Sequence, residues 1–186
     1  MDHLPPDSLL ARMLATATRD RQTVSRDGAP VRRLTDGVSI RDVATHTDLR
    51  GSVTELFDAR WNYHPDPVVF AYCFTIRPGI VKGWNLHREH EDRYVLLQGD
   101  MNVVLFDPRP GSPTLGEVCT INLSAAHRVI VNIPTNVWHA DHNIGTTDVL
   151  VVNFPTQPYD HVNPDKYRLP LDTDLIPHSF GGAKGG

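Results

Sequence analysis

The stretch VKGWNLHREHEDRYVLLQGD, residues 81–100, sets three histidine or asparagine side chains into a run that otherwise has the composition of β-structure. Side chains alternate faces along a strand, so Asn85 and His87 share one face, and Lys82, Trp84 and Leu86 the other. His90 lies past the expected strand end, in REHED, where an exposed loop histidine is expected. The apolar run YVLLQG ends at Gly99, and LQGDMNVVLFD has the pattern of a hairpin turning through Gly99-Asp100. Working outward, further short apolar runs follow between turn residues: GVSIRDVA, SVTELFDA, VVFAYCFTI, GEVCTINL, HRVIVNIP and DVLVVNF. Many short β-runs with few helices between them predict an all-β sandwich or barrel.

The ends differ from this middle. PPDSLLARMLATATRDRQ predicts a helix with Asp7 or Ser8 as N-cap and Leu9, Leu10, Met13 and Leu14 at helical spacing, to pack on the body or on a second subunit. After Pro158 a proline-rich arm, YDHVNPDKYRLPLDTDLIP, would be anchored by Tyr159, Tyr167, Leu169 and Ile176, and GGAKGG is expected to be a flexible tail. The expected organisation is an N-terminal helical extension, 1–30, a barrel domain, 31–180, and the tail, 181–186. A chain of 186 residues with 40% hydrophobic and 22% charged residues suits one globular domain with a sizeable core. Its formal charge of −4 offers no basic footprint for nucleic acid or an anionic membrane. Cys73 and Cys119 each sit in an apolar run, as small buried hydrophobes would. With no apolar run of membrane-spanning length and no basic start followed by an apolar centre, the expectation is a cytoplasmic protein.

Two segments resemble the paired motifs of the cupin jelly roll. Asn85-x-His87, Glu91 or Asp92, and Gly99 follow the outline of the first; Pro134, Asn136, His139 and Asn143 that of the second, with Asn136 standing where a left-handed glycine is usual. The expected fold is therefore a cupin jelly-roll barrel with an N-terminal helix and a proline-rich C-terminal arm. The resemblance directs His87 and His139 into one barrel interior. A metal-binding cupin would present two histidines and an acid from the first motif, and here Asn85 stands at the first histidine. A divalent metal ion held by His87, His139 and one of Glu91, Asp92 or His142 is the alternative to a site without cofactor.

From about Val38 to Ile176 the chain also resembles the dTDP-4-dehydrorhamnose 3,5-epimerase family. DLRGSVTELF supplies Arg50 and Glu55; GIVKGWN parallels a Gly-x-x-Arg-Gly-x-His segment; LQGDMNVVLFDPRPGSPTLGE and LSAAHRVIVNIPTNVWHA follow in the family's order. This resemblance implies a homodimer binding a nucleotide-linked keto-sugar, with no cofactor. A histidine would remove a proton beside the keto group, a tyrosine would return one, and cations would hold the enolate and the diphosphate. The family's base aligns with Asn85, its tyrosine with Asn153 and its arginine with Lys82. Substrate contacts then fall to Arg50, Glu55, Lys82, Asn85 and Asn153. His87 becomes the expected base, His139 shapes the pocket, and Tyr159, Tyr94 or His142 stands in as acid. A sugar-binding cupin without catalysis is the other alternative, since an amide takes no proton at neutral pH.

Overall fold

The computed structural model describes residues 8–28 and 31–186 and divides into two compact units, 1–33 and 34–186. In the first, helix α1 (Leu9–Thr16) is capped by Ser8, whose hydroxyl accepts from the Ala11 N–H at 3.1 Å. Pro5, Pro6 and Asp7 lie outside the described residues, as do Ala29 and Pro30. None of the helix's residues is buried, and Leu9, Leu10, Met13 and Leu14 form an exposed stripe.

The second unit is a jelly roll. Its strands are β1 (Ser39–Asp42), β2 (Thr45–Asp48), β3 (Gly51–Thr54), β4 (Tyr72–Ile76), β5 (Ile80–Leu86), β6 (Asp92–Gln98), β7 (Asp100–Phe106), β8 (Val118–Ser124), β9 (Val129–Ile133), β10 (Trp138–Asn143), β11 (Val149–Asn153), β12 (Tyr167–Arg168) and β13 (Lys184–Gly185). One sheet runs β1-β9-β6-β11-β4; the other runs β12-β5-β10-β7-β8, with β13 also on β5; β2 and β3 form a separate hairpin. Every large strand pairing is antiparallel, and alternation gives each strand an inner and an outer face. Ile76, Leu96, Met101, Val103, Leu105, Ile121, Val131 and Val151 fill most of the space between the sheets. Outside, Val81, Trp84, Val104 and Ala140 are covered by Leu169, Leu171, Ile176 and Phe180 of the C-terminal arm. Val95 and Ile130, on the other sheet, lie under Leu56, Phe57 and Trp61.

Four expectations change. β6 and β7 belong to opposite sheets, so Gly99, at φ +84°, turns a corner of the barrel and no hairpin forms. WHADHN, which carries the second-motif histidine, is itself a central strand, β10. The tail is ordered as β13, parallel to Ile80–Val81 on β5. Cys73 is exposed and Cys119 half-buried, because each sits where its strand's outer or edge face meets solvent. Asn136 does adopt the left-handed conformation expected of a glycine substitute, at φ +60°.

Candidate active site

Strict alternation would put Lys82 on the face opposite Asn85. The pairing of β5 with β10 breaks it: His139 faces Asn85 but Asp141 faces Lys82, so two residues of β10 oppose three of β5. This bulge turns Lys82 and Asn85 to the same side. Gly83 makes it possible, at φ +151° and with backbone so near β10 that a Cβ would stand 2.5 Å from that of Ala140.

Lys82 and Asn85 thereby line a pocket of about 250 Å³ between the sheets. Phe74 of β4, Tyr94 of β6 and Asp141 of β10 complete its buried wall, and Tyr72 of β4, which is 40% exposed, lies at its rim with Lys166, Arg168 and Gly186. Lys82 also sets its ammonium 5.7 Å from the Phe74 ring centroid. Three basic side chains thus surround one acid. Asp141 is 2% exposed, and its Oδ1 has no hydrogen-bond partner. Leaving such an atom unpaired inside a protein costs about 1–3 kcal/mol. Burial pushes the Asp141 carboxyl up to about 8, reinforced by the charge of Asp92 and opposed by Lys166 and Lys82. It is therefore mostly neutral at pH 7. Burial, and then Arg168, pull the Lys166 ammonium below its ordinary range.

Behind the wall lies a second polar cluster centred on Asp92, which is 2% exposed. His87 Nε2 is 3.3 Å from Asp92 Oδ2, His139 Nε2 3.6 Å from the same oxygen, and His90 Nε2 3.8 Å from Oδ1. Tyr94 donates to Asp92 Oδ2 at 3.2 Å, and Asn153 Nδ2 donates to Oδ1 at 2.6 Å. His87 Nδ1 donates to the Asp165 carbonyl at 2.5 Å, and His90 Nδ1 pairs with the Asp165 carboxylate at 2.9 Å. Burial opposes ionisation of Asp92, but the His87 hydrogen bond and the charges of His87 and His139 hold it well below the carboxylate range. Burial likewise opposes a charge on His87, and Asp92 and Asp165 outweigh it, raising the imidazole. His139, fully enclosed, is pushed down to about 4 by burial and is neutral.

The sequence-predicted residues fall into three places. Lys82 and Asn85 line the pocket. His87, His139 and Asn153 stand behind it. His87 thus pairs with Asp92 and donates its Nδ1 hydrogen to the Asp165 carbonyl, and it does not line the pocket. Asn153 is a satisfied amide: besides Asp92, it donates to the Tyr72 hydroxyl at 3.0 Å, and it accepts from the Arg93 N–H at 2.9 Å. Arg50, Glu55, Tyr159 and His142 lie elsewhere. Arg50 is exposed in the β2–β3 hairpin and pairs with Asp48 at 2.5 Å, and Glu55 is exposed just after it. Tyr159 is exposed and its ring meets that of His161. His142 is on the outer face of β10, against Phe180, because it is an odd number of residues from His139. Of the alternative metal sets, the one with His142 is therefore not assembled, whereas His87 and His139 both approach Asp92, at 3.3 and 3.6 Å from its Oδ2. The group brought within 4.8 Å is His87, His90 and Asp92. Its contacts are those of the ion-pair cluster just described. His90 is no exposed loop residue: it stacks on His87 with ring centroids 4.1 Å apart. Asp141, Tyr72, Lys166 and Asp165 were missed. Asp141 alone had a usable signal, since it is two residues from His139 and a strand puts both on one face.

The model of the polysaccharide biosynthesis C-terminal domain matches residues 46–167. The chain is 36% identical over 137 residues to the probable low-salt glycan biosynthesis epimerase Agl13 of Haloferax volcanii, an overlap of 73% of this chain and 87% of that protein. It is 29% identical to the spore coat polysaccharide biosynthesis protein SpsL of Bacillus subtilis, over 76% and 93% of the two chains. Among solved structures it is similar to a dTDP sugar isomerase from Desulfovibrio desulfuricans G20, with a TM-score of 0.74, 26% identity, and coverage of 81% and 94%. The matched residues run from the β2–β3 hairpin to Tyr167 and so include every pocket-lining residue except Arg168 and Gly186: the chain belongs to the polysaccharide biosynthesis C-terminal domain family, in the epimerase-like branch of the cupins.

Proposed function

We propose that this protein is a sugar epimerase or isomerase that acts on a nucleotide-linked keto-sugar by proton transfer through an enolate. One observation carries this: the pocket between the sheets sets Lys82, Lys166 and Arg168 around an otherwise enclosed polar wall. A diphosphate and a developing enolate are both anions, and fixed ammonium and guanidinium groups at a half-enclosed site favour both. Asp141, mostly neutral at pH 7, does not cancel that charge. Asn85 and Tyr94 offer hydrogen-bonding groups to sugar hydroxyls. The similarity to Agl13 and to the dTDP sugar isomerase supports the same substrate class.

The protein is proposed to work as a homodimer. The β2–β3 hairpin pairs with no other strand among the described residues. It exposes Leu49 and Val53, and an isolated hairpin is marginal in water. In a single chain Arg50 and Glu55 do not reach the pocket; their proposed contact with substrate is across the dimer.

The test is incubation of the protein with a dTDP-4-keto-6-deoxyhexose, followed by NMR of the sugar, alongside calorimetric titration with dTDP. The expected results are a stereoisomeric or isomeric keto-sugar and dTDP binding weakened about tenfold in Lys166→Ala and Arg168→Ala, each having lost one charge-assisted contact. An unchanged sugar, or variants that bind dTDP as the parent does, would contradict the assignment.

A further inference from the structure

Resting on that reading, we propose that Asp141 and Tyr72 are the acid–base pair of the reaction, acting on the substrate from opposite walls of the pocket. Proton transfer needs a titratable group in contact with the sugar, and the pocket wall carries no histidine. Its proton-bearing groups are Tyr72, Tyr94, Asp141 and the basic trio. The Tyr94 hydroxyl stands between Asp92, to which it donates at 3.2 Å, and Asp141, and the two carboxyls compete for its one hydrogen. The Tyr72 hydrogen is under no such competition: its oxygen receives the Asn153 amide, and its own proton has no acceptor among the described residues. Tyr72 comes from β4 in one sheet and Asp141 from β10 in the other. Both line the same pocket, and an Asp141 carboxylate raises the Tyr72 phenol.

Asp141 has the features of a base. It is buried on the pocket wall, one oxygen is unpartnered, and its strand neighbour across the sheet is Lys82. The groups that face it are Asp92 and Tyr94 from β6, Lys82 from β5, Lys166 before β12 and Tyr72 from β4. With its carboxyl at about 8, about a tenth of the molecules carry the carboxylate at pH 7. Burial keeps the Tyr72 phenol protonated throughout this range, as a donor must be.

The Asp141 carboxylate takes the proton from the carbon beside the ketone. The C–H pair becomes the C=C bond, and the carbonyl π pair moves to oxygen, facing the ammonium groups of Lys82 and Lys166. The Tyr72 O–H then delivers its proton to the other face of the same carbon, and the carbonyl re-forms. Asp141 is left protonated and Tyr72 ionised, and exchange with solvent water restores both. Because the two groups stand on facing sheets, the carbon is inverted.

Deuterium incorporation from D2O into a dTDP-4-keto-6-deoxyhexose separates the two roles. The unaltered protein should incorporate deuterium and invert the carbon. Asp141→Asn should lose exchange about a hundredfold or more while still binding dTDP, which shows that it is folded. Tyr72→Phe should still exchange the proton yet fail to invert the carbon. Exchange at the parental rate in Asp141→Asn, or inversion at the parental rate in Tyr72→Phe, overturns the pair while leaving the function standing. Absence of exchange by the unaltered protein overturns both.

Discussion

Asp141 illustrates how one residue can be plain in the sequence and still be overlooked. Its chemistry depends on enclosure, and enclosure comes from strands far away in the chain: β5, β6 and β4 supply the neighbours that strip its water. The sequence places it two residues from His139, and in a strand both fall on one face. Asn153 shows the converse. Its position suggests a substrate contact, whereas the structure uses it to orient Asp92 and Tyr72. The enclosure of Asp141 has a consequence for stability. Its folded carboxyl titrates near 8 against an ordinary 3.8, so between those values the folded chain keeps a proton that the unfolded chain has lost. Stability contributed at this position therefore falls as pH rises from about 4 to about 8. Asp141→Asn removes the titration. In thermal melts the variant should exceed the parent by several degrees at pH 9. The difference should shrink steadily toward pH 5. A difference that does not change with pH would show that Asp141 is not held in this way.

Among elements, β5 departs most from its sequence pattern. The run from Ile80 to Leu86 is legible as a strand, and so are the cores of β1, β6, β7, β8, β9 and β11. Alternation cannot foresee the bulge at Gly83, because that depends on how close β10 comes. The same nearness makes Gly83 the sensitive glycine of the strand. A methyl group there would collide with Ala140 and His139 backbone atoms, whereas at Gly79, φ +69°, nothing lies within 4 Å. Gly83→Ala should destabilise the protein by about 3 kcal/mol or more, by forcing the strands apart. Gly79→Ala should cost about 1 kcal/mol, from backbone conformation alone. Chemical denaturation of the two variants measures this, and equal losses would refute the account of the bulge. Gly99 teaches a related point: a glycine between two apolar runs suits a hairpin and a barrel corner equally, and only the pairing partners decide.

At the scale of the molecule, the all-β class follows from short apolar runs, and the jelly roll from the resemblance of two spaced motifs to those of the cupins. What the runs do not say is which face of each strand is covered by which outer segment. The arm from Leu169 to Phe180 buries the outer face of β5 and β10, which is why Trp84 is fully enclosed and His142, already on that face by alternation, meets Phe180. The pocket is what remains where the apolar filling gives way to Tyr72, Tyr94, Asp141 and Lys82. In the proposed homodimer a second copy would cover the β2–β3 hairpin, which pairs with no other strand among the described residues, and the exposed Arg50. Light scattering should give twice the mass of one chain, and a monomer at micromolar concentration would remove Arg50 and Glu55 from the site. In the proposed reaction the proton moves between the two walls of this pocket and not at the His87–Asp92 cluster behind it. A crystal structure with a dTDP-linked 4-keto sugar tests it most directly. The carbon beside the ketone should lie about 3–3.5 Å from an Asp141 oxygen on one face and from the Tyr72 hydroxyl on the other. A sugar whose reacting carbon meets His87, with Asp141 and Tyr72 out of contact, would contradict it.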